Sequence, residues 1–371
     1  MVAARVPFWS VRVEGEDVSS WVSSLSLVED DRQADNVSLT VPDPRMAWAD
    51  VLMEGCRAEV DLGYTEPGQH ALMLRATLTR VETAYPESGV PELKLKGEDK
   101  SIEMGLTEQT RLWRDTTLGA VVRAVADPYG FARVEFGLTP DPEVGREHQD
   151  GKTDLAFLQD LAGRYHAKCF VELDENDAEV LYFIPERRVV TLRRPETLVL
   201  RYRQGPVSTL HSFSPSFDAS YLDRLREVHD LDDEGSTLGT ASAPPADVDT
   251  WPLPESARAR VSTVDWRRMQ ALHAAGTRER RELQRALAGP RPAPGQVARD
   301  QAHLDATSDV LESRRLGMSA RGTTTGTIWL RAKSAVVIVG VHERFAGEWY
   351  VTNVTHSIGT GGYKTDFSCV R

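Results

Sequence analysis

The chain has 371 residues, 40% apolar and 27% charged, with a formal net charge of -12 at neutral pH. That length exceeds one compact core, so two to four domains are expected, and the composition is ordinary for a soluble globular protein. The acidic total argues against a surface built to grip nucleic acid, which normally carries a basic face.

No run of about 18 apolar residues occurs, so no membrane span is expected. Residues 1–10 contain one arginine and no apolar h-region, so no signal peptide is expected and the chain should fold in the cytoplasm. Cys56, Cys169 and Cys369 are isolated, with no CxxC spacing. They read as reduced, mostly buried thiols rather than a metal or redox site.

The first hundred residues read as β. Phe8, Val11 and Val13 open a strand before the turn Gly15-Glu16-Asp17. Val37, Leu39 and Val41 alternate with polar residues up to Pro42-Asp43-Pro44, the period of a half-buried strand. CRAEVDLGY, LMLRATLTRVETAY and VPELKLKGED continue the pattern, the last two joined by the reverse-turn sequence Pro86-Glu87-Ser88-Gly89. Short strands at this spacing predict an antiparallel barrel or sandwich.

The period then turns helical. Leu118, Val121, Val122 and Val125 share one face, with Thr116 or Thr117 placed to cap it and Pro128-Tyr129-Gly130 ending it. A second helix follows Thr153, lined by Leu155, Leu158, Leu161, Ala162 and Tyr165. KCFVEL and EVLYFIP then form two strands across the turn 174–177, completing a small α/β module.

From Thr197 the pattern returns to β with TLVLRYR and STLHSFSPSF. Asp230 to Pro254, rich in Asp, Ser, Ala and Pro, reads as a loop or linker. RMQALHAAGTRERRELQRALAG is a charged helix, broken by the proline-rich stretch 289–295, and DQAHLDATSDVLESRRLGMSA a second one. TGTIWLRAK, SAVVIVG, EWYVTNVTHSI and YKTDFSCVR close the chain as strands, with Tyr363, Thr365, Phe367 and Cys369 on one face.

The predicted organisation is therefore α+β and β-rich: a first barrel over 1–100, an α/β module over 101–195, and a second barrel over 196–229 and 305–371. A polar helical or loop insertion occupies 230–304.

Catalytic signatures are lacking. His342-Glu343-Arg344-Phe345 begins like a zinc-protease motif without the second histidine one helical turn on, and reads as an exposed turn. His356 lies inside a strand and reads as a packed or hydrogen-bonded histidine. Carboxylates are plentiful, but they sit in turns and on polar faces and read as solvated surface rather than a glycosidase pair. No P-loop, G-x-S-x-G or G-x-G-x-x-G occurs. No catalytic, cofactor or metal residue is expected, and the chain reads as a non-enzyme.

Three stretches stand out together. The first is the barrel ending at Gly97-Glu98-Asp99-Lys100. The second is Thr153-Asp154-Leu155-Ala156-Phe157-Leu158-Gln159-Asp160-Leu161-Ala162-Gly163-Arg164-Tyr165. The third, and most specific, is Phe345-Ala346-Gly347-Glu348-Trp349-Tyr350-Val351-Thr352-Asn353-Val354-Thr355-His356 followed by Gly361-Gly362-Tyr363-Lys364-Thr365-Asp366-Phe367 and Arg371. Together they resemble the phage late control gene D family, which includes the baseplate hubs of contractile tails and is similar to the N-terminal half of the type VI spike protein VgrG; in the second stretch the family's terminal Gly is replaced near His166-Ala167.

This resemblance implies two tail-tube-like barrels per chain and a homotrimer whose six barrels match a six-fold tail tube above and a three-fold spike below. It also implies contacts with other baseplate proteins and a channel for DNA or effector protein that binds neither specifically. Because the sequence stops after the second barrel's last strand, the spike is expected to be a separate protein. The expected location is the baseplate of a virion tail or injection particle, assembled in the bacterial cytoplasm without membrane insertion. The competing readings are a tail-associated cell-wall hydrolase and a carbohydrate-binding or adaptor protein. The final strand, Tyr363 to Val370, is a candidate either for an intersubunit seam or for the inner wall.

Overall fold

The computed structural model describes residues 6–189, 197–218, 226–231, 237–243, 258–259, 261–287, 317–359 and 361–371. The fold is α+β and β-rich, with large antiparallel sheets and few helices. The chain divides into two compact units. One comprises Met1–Phe213, Arg321–Val336 and Tyr350–Cys369; the other comprises Ser214–Ala320, Val337–Trp349 and Val370–Arg371.

The first unit opens with seven strands: β1 (Pro7–Val13), β2 (Glu16–Asp17), β3 (Ser24–Asp30), β4 (Asn36–Pro42), β5 (Arg57–Tyr64), β6 (His70–Ala84) and β7 (Glu92–Glu98). They follow the spatial order β3-β4-β7-β6-β5-β1-β2. Alternation does what the sequence predicts: Val37, Leu39 and Val41 point into the core and are at most 2% exposed. Each such side chain contributes about 1.5–3 kcal/mol on burial. The hairpin between β6 and β7 passes through Gly89, whose φ of 119° suits a residue without Cβ.

Next comes the module: β8 (Glu108–Thr117), α1 (Leu118–Ala126), β9 (Arg133–Phe136), β10 (Glu143–Thr153), α2 (Asp154–Arg164), β11 (Ala167–Leu173) and β12 (Glu179–Pro185). Thr117 and Thr153 cap the two helices, their side chains accepting from the backbone N–H of Ala120 and Ala156 at 3.3 Å each. Leu118, Val121, Val122, Phe157, Leu158 and Leu161 pack on Val171, Leu181 and Phe183. His166, just past the second of these helices, takes φ 49° in the left-handed region that ends helices. The sequence did not predict β8 and β10 as strands; they form a separate two-stranded ribbon.

The later strands are β13 (Leu198–Arg201), β14 (Leu210–Phe217), β15 (Arg226–Leu231), β16 (Thr237–Ala243), β17 (Met318–Thr325), β18 (Ser334–Val339), β19 (Gly347–Gly359) and β20 (Gly362–Val370). β14-β17-β20-β19 are successive neighbours, β18 pairs with both β19 and β13, and a bridge between Tyr202 and Leu210 links β13 to β14. The second β domain thus returns on itself. Its β19 also pairs antiparallel with β3, from Asn353↔Asp30 to Ile358↔Leu25. The two β domains consequently share one thirteen-stranded sheet.

Several expectations are corrected. The predicted strand TGTIWLRAK is not one: residues 326–333 are turn and coil, and the strand lies upstream at Met318–Thr325. Those last residues overlap the end of the second predicted helix, whose other residues, up to 316, lie outside those described. Part of the expected loop 230–254 is paired, since β15 and β16 form a hairpin. The face of Tyr363, Thr365, Phe367 and Cys369 is buried as predicted. However, β20 lies between β17 and β19, so its backbone edges are already used and it is not a free seam.

In the second unit, α3 (Thr263–Leu287) realises the charged helix RMQALHAAGTRERRELQRALAG. Here the Trp349 indole N–H donates to the Phe345 carbonyl at 3.0 Å. The Arg280 and Arg344 guanidinium groups lie 4.6 and 5.1 Å from the Phe217 ring centre.

Candidate functional site

Two features of the first unit stand out: a buried charge cluster behind the β3–β19 join, and the outer face of the joined sheet. The cluster draws on distant segments. Glu29 projects inward from β3, Asp35 follows in the turn to β4, Asp99 follows β7, and Glu172 ends β11; Arg331 and Lys333 come from the turn before β18. Arg331 pairs with Glu29 and lies 3.3 Å from Glu172, while the Ala332 N–H donates to the other Glu29 oxygen at 3.0 Å. Lys333, held at φ 63°, reaches both Asp35 oxygens at 3.3 Å, donates to the Asp30 carbonyl at 2.9 Å and lies 3.7 Å from Glu172. Asp99 accepts from the N–H groups of Asp35 at 2.6 Å and Ser101 at 2.7 Å.

Four carboxylates thus surround two cations, with Glu29 1%, Asp35 4%, Asp99 6% and Lys333 4% exposed. Burial raises the Asp35 carboxyl well above its usual range, with nearby carboxylates adding to it and Lys333 opposing. Burial likewise pushes Asp99 up to about 6 against its two hydrogen bonds. Burial works against charge on Arg331, but Glu29 and Glu172 outweigh it and strengthen its hold on the proton. Outside this core, Lys168 pairs with Asp31 at 3.0 Å and the Asn353 side chain donates to Asp30 at 3.0 Å.

His356, on β19, is fully buried, and its Nδ1 shares a hydrogen bond with the Tyr363 hydroxyl at 2.9 Å. Burial lowers its pKa to about 4, which keeps the ring neutral. This is a packed, hydrogen-bonded strand histidine. His342 caps the short helical turn Glu343–Phe345, its Nδ1 accepting from Arg344 N–H at 3.2 Å. Among the described residues no group of His, Cys, Asp and Glu is placed to hold a metal, and no helix is long and apolar enough to cross a membrane.

The outer face of the joined sheet differs from the rest of this acidic chain. Three cross-strand rows run over β19, β3, β4, β7 and β6. One reads Ser357, Ser26, Ser38, Lys96, Arg80; the second reads Thr355, Val28, Asn36, Glu98, Thr77. The third runs Ser24, Thr40, Lys94, Glu82. The two carboxylates in these rows are each neutralised: Glu98 by Lys96 at 2.7 Å and Glu82 by Arg80 at 3.2 Å. These three rows are rich in hydroxyl groups and their two carboxylates are paired, while Glu92, on the same face of β7 opposite Pro42 and Ala84, adds a further carboxylate.

Sequence reasoning pointed to neither feature as a site. The cluster's partners are up to 303 positions apart, as in Ala332 and Glu29. Of its members only Asp99 is among the residues that carry the family resemblance.

No protein-family model matches the sequence, and no curated protein resembles it in sequence. Solved structures do resemble it in fold. A 43 kDa tail protein of prophage MuSo2 from Shewanella oneidensis is 13% identical over 98% of both chains, with a TM-score of 0.68. A tail protein from Neisseria meningitidis MC58 is 12% identical over 99% of this chain and 97% of that one, with a TM-score of 0.69. An Escherichia coli component of the type VI secretion system is 12% identical over 97% of this chain and 76% of its own, with a TM-score of 0.59. With two near-complete alignments to tail proteins at TM-scores of 0.68 and 0.69, the chain has the fold of phage tail proteins.

Proposed function

We propose that this chain is the structural baseplate hub of a contractile phage tail or of a tail-like injection machine. The observation that carries the reading is the β3–β19 join, which makes two β domains of one chain a single wall. Three copies would present six such domains to a six-fold tube while keeping three-fold symmetry toward a spike. The outer rows of Ser, Thr and Asn, with their carboxylates neutralised, suit a wall past which DNA or protein slides without sticking. The partners are two further copies, a tail tube protein above, a spike protein below and neighbouring baseplate proteins, within a virion tail or injection particle assembled in the bacterial cytoplasm. The role is scaffolding rather than catalysis.

Reconstruction of the source particle, or native mass spectrometry of the chain with its tube and spike partners, tests this. Three copies around a central channel between tube and spike are expected. A single copy on the particle's outer surface, or six copies per ring, would refute the hub.

A further inference from the structure

β6 outruns its partner on one side. β5 pairs with it only as far as Arg57↔Thr77, and the Gly55 N–H and Cys56 carbonyl then bond to the Leu78 backbone at 2.8 Å each. Beyond that point β6 runs on to Ala84 beside β7 alone, with Val81 opposite Leu95 and Thr83 opposite Leu93. Its edge away from β7 is therefore unpaired over residues 79–84 among the described residues. A free strand edge is usually guarded by proline or by charge. Arg80 and Glu82 are charged, but they lie on the outer face and pair with each other at 3.2 Å. On the core side Val81 and Thr83 carry no charge, and Val81 is only partly buried against the barrel core.

The loop between β4 and β5 runs past this edge. It begins where the Asp43 N–H donates to the Pro91 carbonyl at 2.7 Å, and it ends at the bonds to Leu78. Asp43 is buried, and its two carboxylate oxygens accept from the N–H groups of Ala47 and Trp48 at 2.9 and 3.0 Å. Trp48 stacks on Trp21 with ring centres 3.8 Å apart, and both pack on the core. The loop is thus fixed, yet Met46 is 61%, Val51 54% and Met53 51% exposed. At the adjoining hairpin tip Tyr85 and Val90 are exposed as well. Apolar groups held outward by a rigid frame mark a surface that another molecule covers.

We propose that this edge and loop dock an extended segment of a different protein, which adds a strand along residues 79–84 and lays apolar side chains against Val81, Met46, Val51 and Met53. Strand addition draws affinity from main-chain bonds and specificity from alternate side chains, and the open edge beside an apolar loop offers both. Charge sets the rest of the partner's chemistry. Asp50, Glu54, Glu87 and Glu92 stand around the site against Arg45, and Glu82 offsets only one of Arg80 and Lys94. The excess is acidic, so the segment carries Lys or Arg at its ends. A second copy of this chain, itself at -12, is disfavoured as the occupant. The docking goes beyond the hub reading and does not require a three-fold ring.

The test is amide hydrogen exchange at residues 79–84 of the purified full chain, alone and with an excess of peptide probes. KKVTVTVKK offers an apolar strand with basic ends, EEVTVTVEE reverses the ends, and KKVTPTVKK carries a proline that interrupts the ladder. The amides that do not bond to β7 should exchange freely in the chain alone and slow about tenfold or more with the first peptide. The second peptide should protect about tenfold less well, and the third not at all. Val51→Ser/Met53→Ser should abolish the protection, whereas Leu106→Ser, at an exposed leucine elsewhere, should keep it. Circular dichroism is the folding control, with Val51→Ser alone as the milder change should the pair misfold. No protection by KKVTVTVKK, or equal protection by all three peptides, overturns the proposal. Slow exchange in the chain alone also overturns it: a second copy covers the edge if the slowing depends on concentration, and the chain's own backbone does if it does not. The hub reading is decided separately, by copy number in the particle.

Discussion

Replacing Arg331 by Met tests what the buried cluster contributes. Arg331 is 9% exposed, and its guanidinium is the cation beside Glu29 and one of two beside Glu172. Met fills much of the same volume, so the change removes charge more than packing. Glu29 would retain the Ala332 N–H as donor but lose its counter-ion at a site 1% exposed. Breaking a buried pair from one side costs about 3–5 kcal/mol, since a charge is left uncompensated in a poorly solvated place. For a unit of this size that is a fall of roughly 10 °C in melting temperature. Thermal unfolding followed by tryptophan fluorescence measures it. The paired variant Glu29→Gln/Arg331→Met, which removes the stranded carboxylate, should recover about half of the loss. If Arg331→Met melts within about 3 °C of wild type, the cluster does not hold these segments together and the reasoning is refuted.

Further outcomes are expected. Because burial pushes Asp99 up to about 6, the folded state binds its proton more tightly than the unfolded chain. The associated stability is complete below the ordinary carboxylate range and is lost as pH rises through about 6, so melting temperature should fall between pH 5 and 8, less steeply in Asp99→Asn. A Cβ on Gly326 would lie within the Tyr363 ring, whereas one on Gly361 meets nothing; Gly326→Ala should cost about 1–3 kcal/mol in denaturant titration, and Gly361→Ala far less. His356→Phe would deprive the Tyr363 hydroxyl of a buried hydrogen-bond partner and should cost about 1–3 kcal/mol by the same titration. Assays on peptidoglycan and peptide substrates with metals supplied should give background rates; turnover abolished by one carboxylate substitution would contradict the scaffolding role.

Much of the fold was legible where local pattern and packing agree. Val37, Leu39 and Val41, a cap at Thr116 or Thr117, the helix that follows Thr153, and the alternating face of β20 were all marked by spacing alone. Failures came where packing favours small residues or where charge is buried. β17 reads MSARGTTT, whose inward positions include Ala320, Gly322 and Thr324. They are small because large neighbours fill the space, since a Cβ on Gly322 would meet the Phe367 ring. The adjacent IWLRAK looks like a strand because Ile328, Leu330 and Ala332 alternate and are buried, yet it turns to deliver Arg331 and Lys333 to the cluster. The β8–β10 ribbon escaped notice because its inner face mixes Arg111, Gln149 and Glu147 with Trp113, which leaves no clean apolar alternation. No local signal announces Glu29, Asp35 or Glu172 as buried, because their counter-ions lie far along the chain, 159 residues on for Glu172 and 298 for Asp35.

The pairing of β3 with β19 also has a consequence during synthesis. β3 is among the first strands to leave the ribosome, and Asn353, which pairs with Asp30, follows 323 residues later. At about 5–20 residues per second, the nascent chain carries an uncovered β3 edge for roughly 15 to 65 seconds. Glu29, already in place, waits as long for Arg331. Chains interrupted before residue 331 would keep both the bare edge and the unpaired carboxylate, and should be captured by chaperones or aggregate rather than accumulate as a folded first barrel.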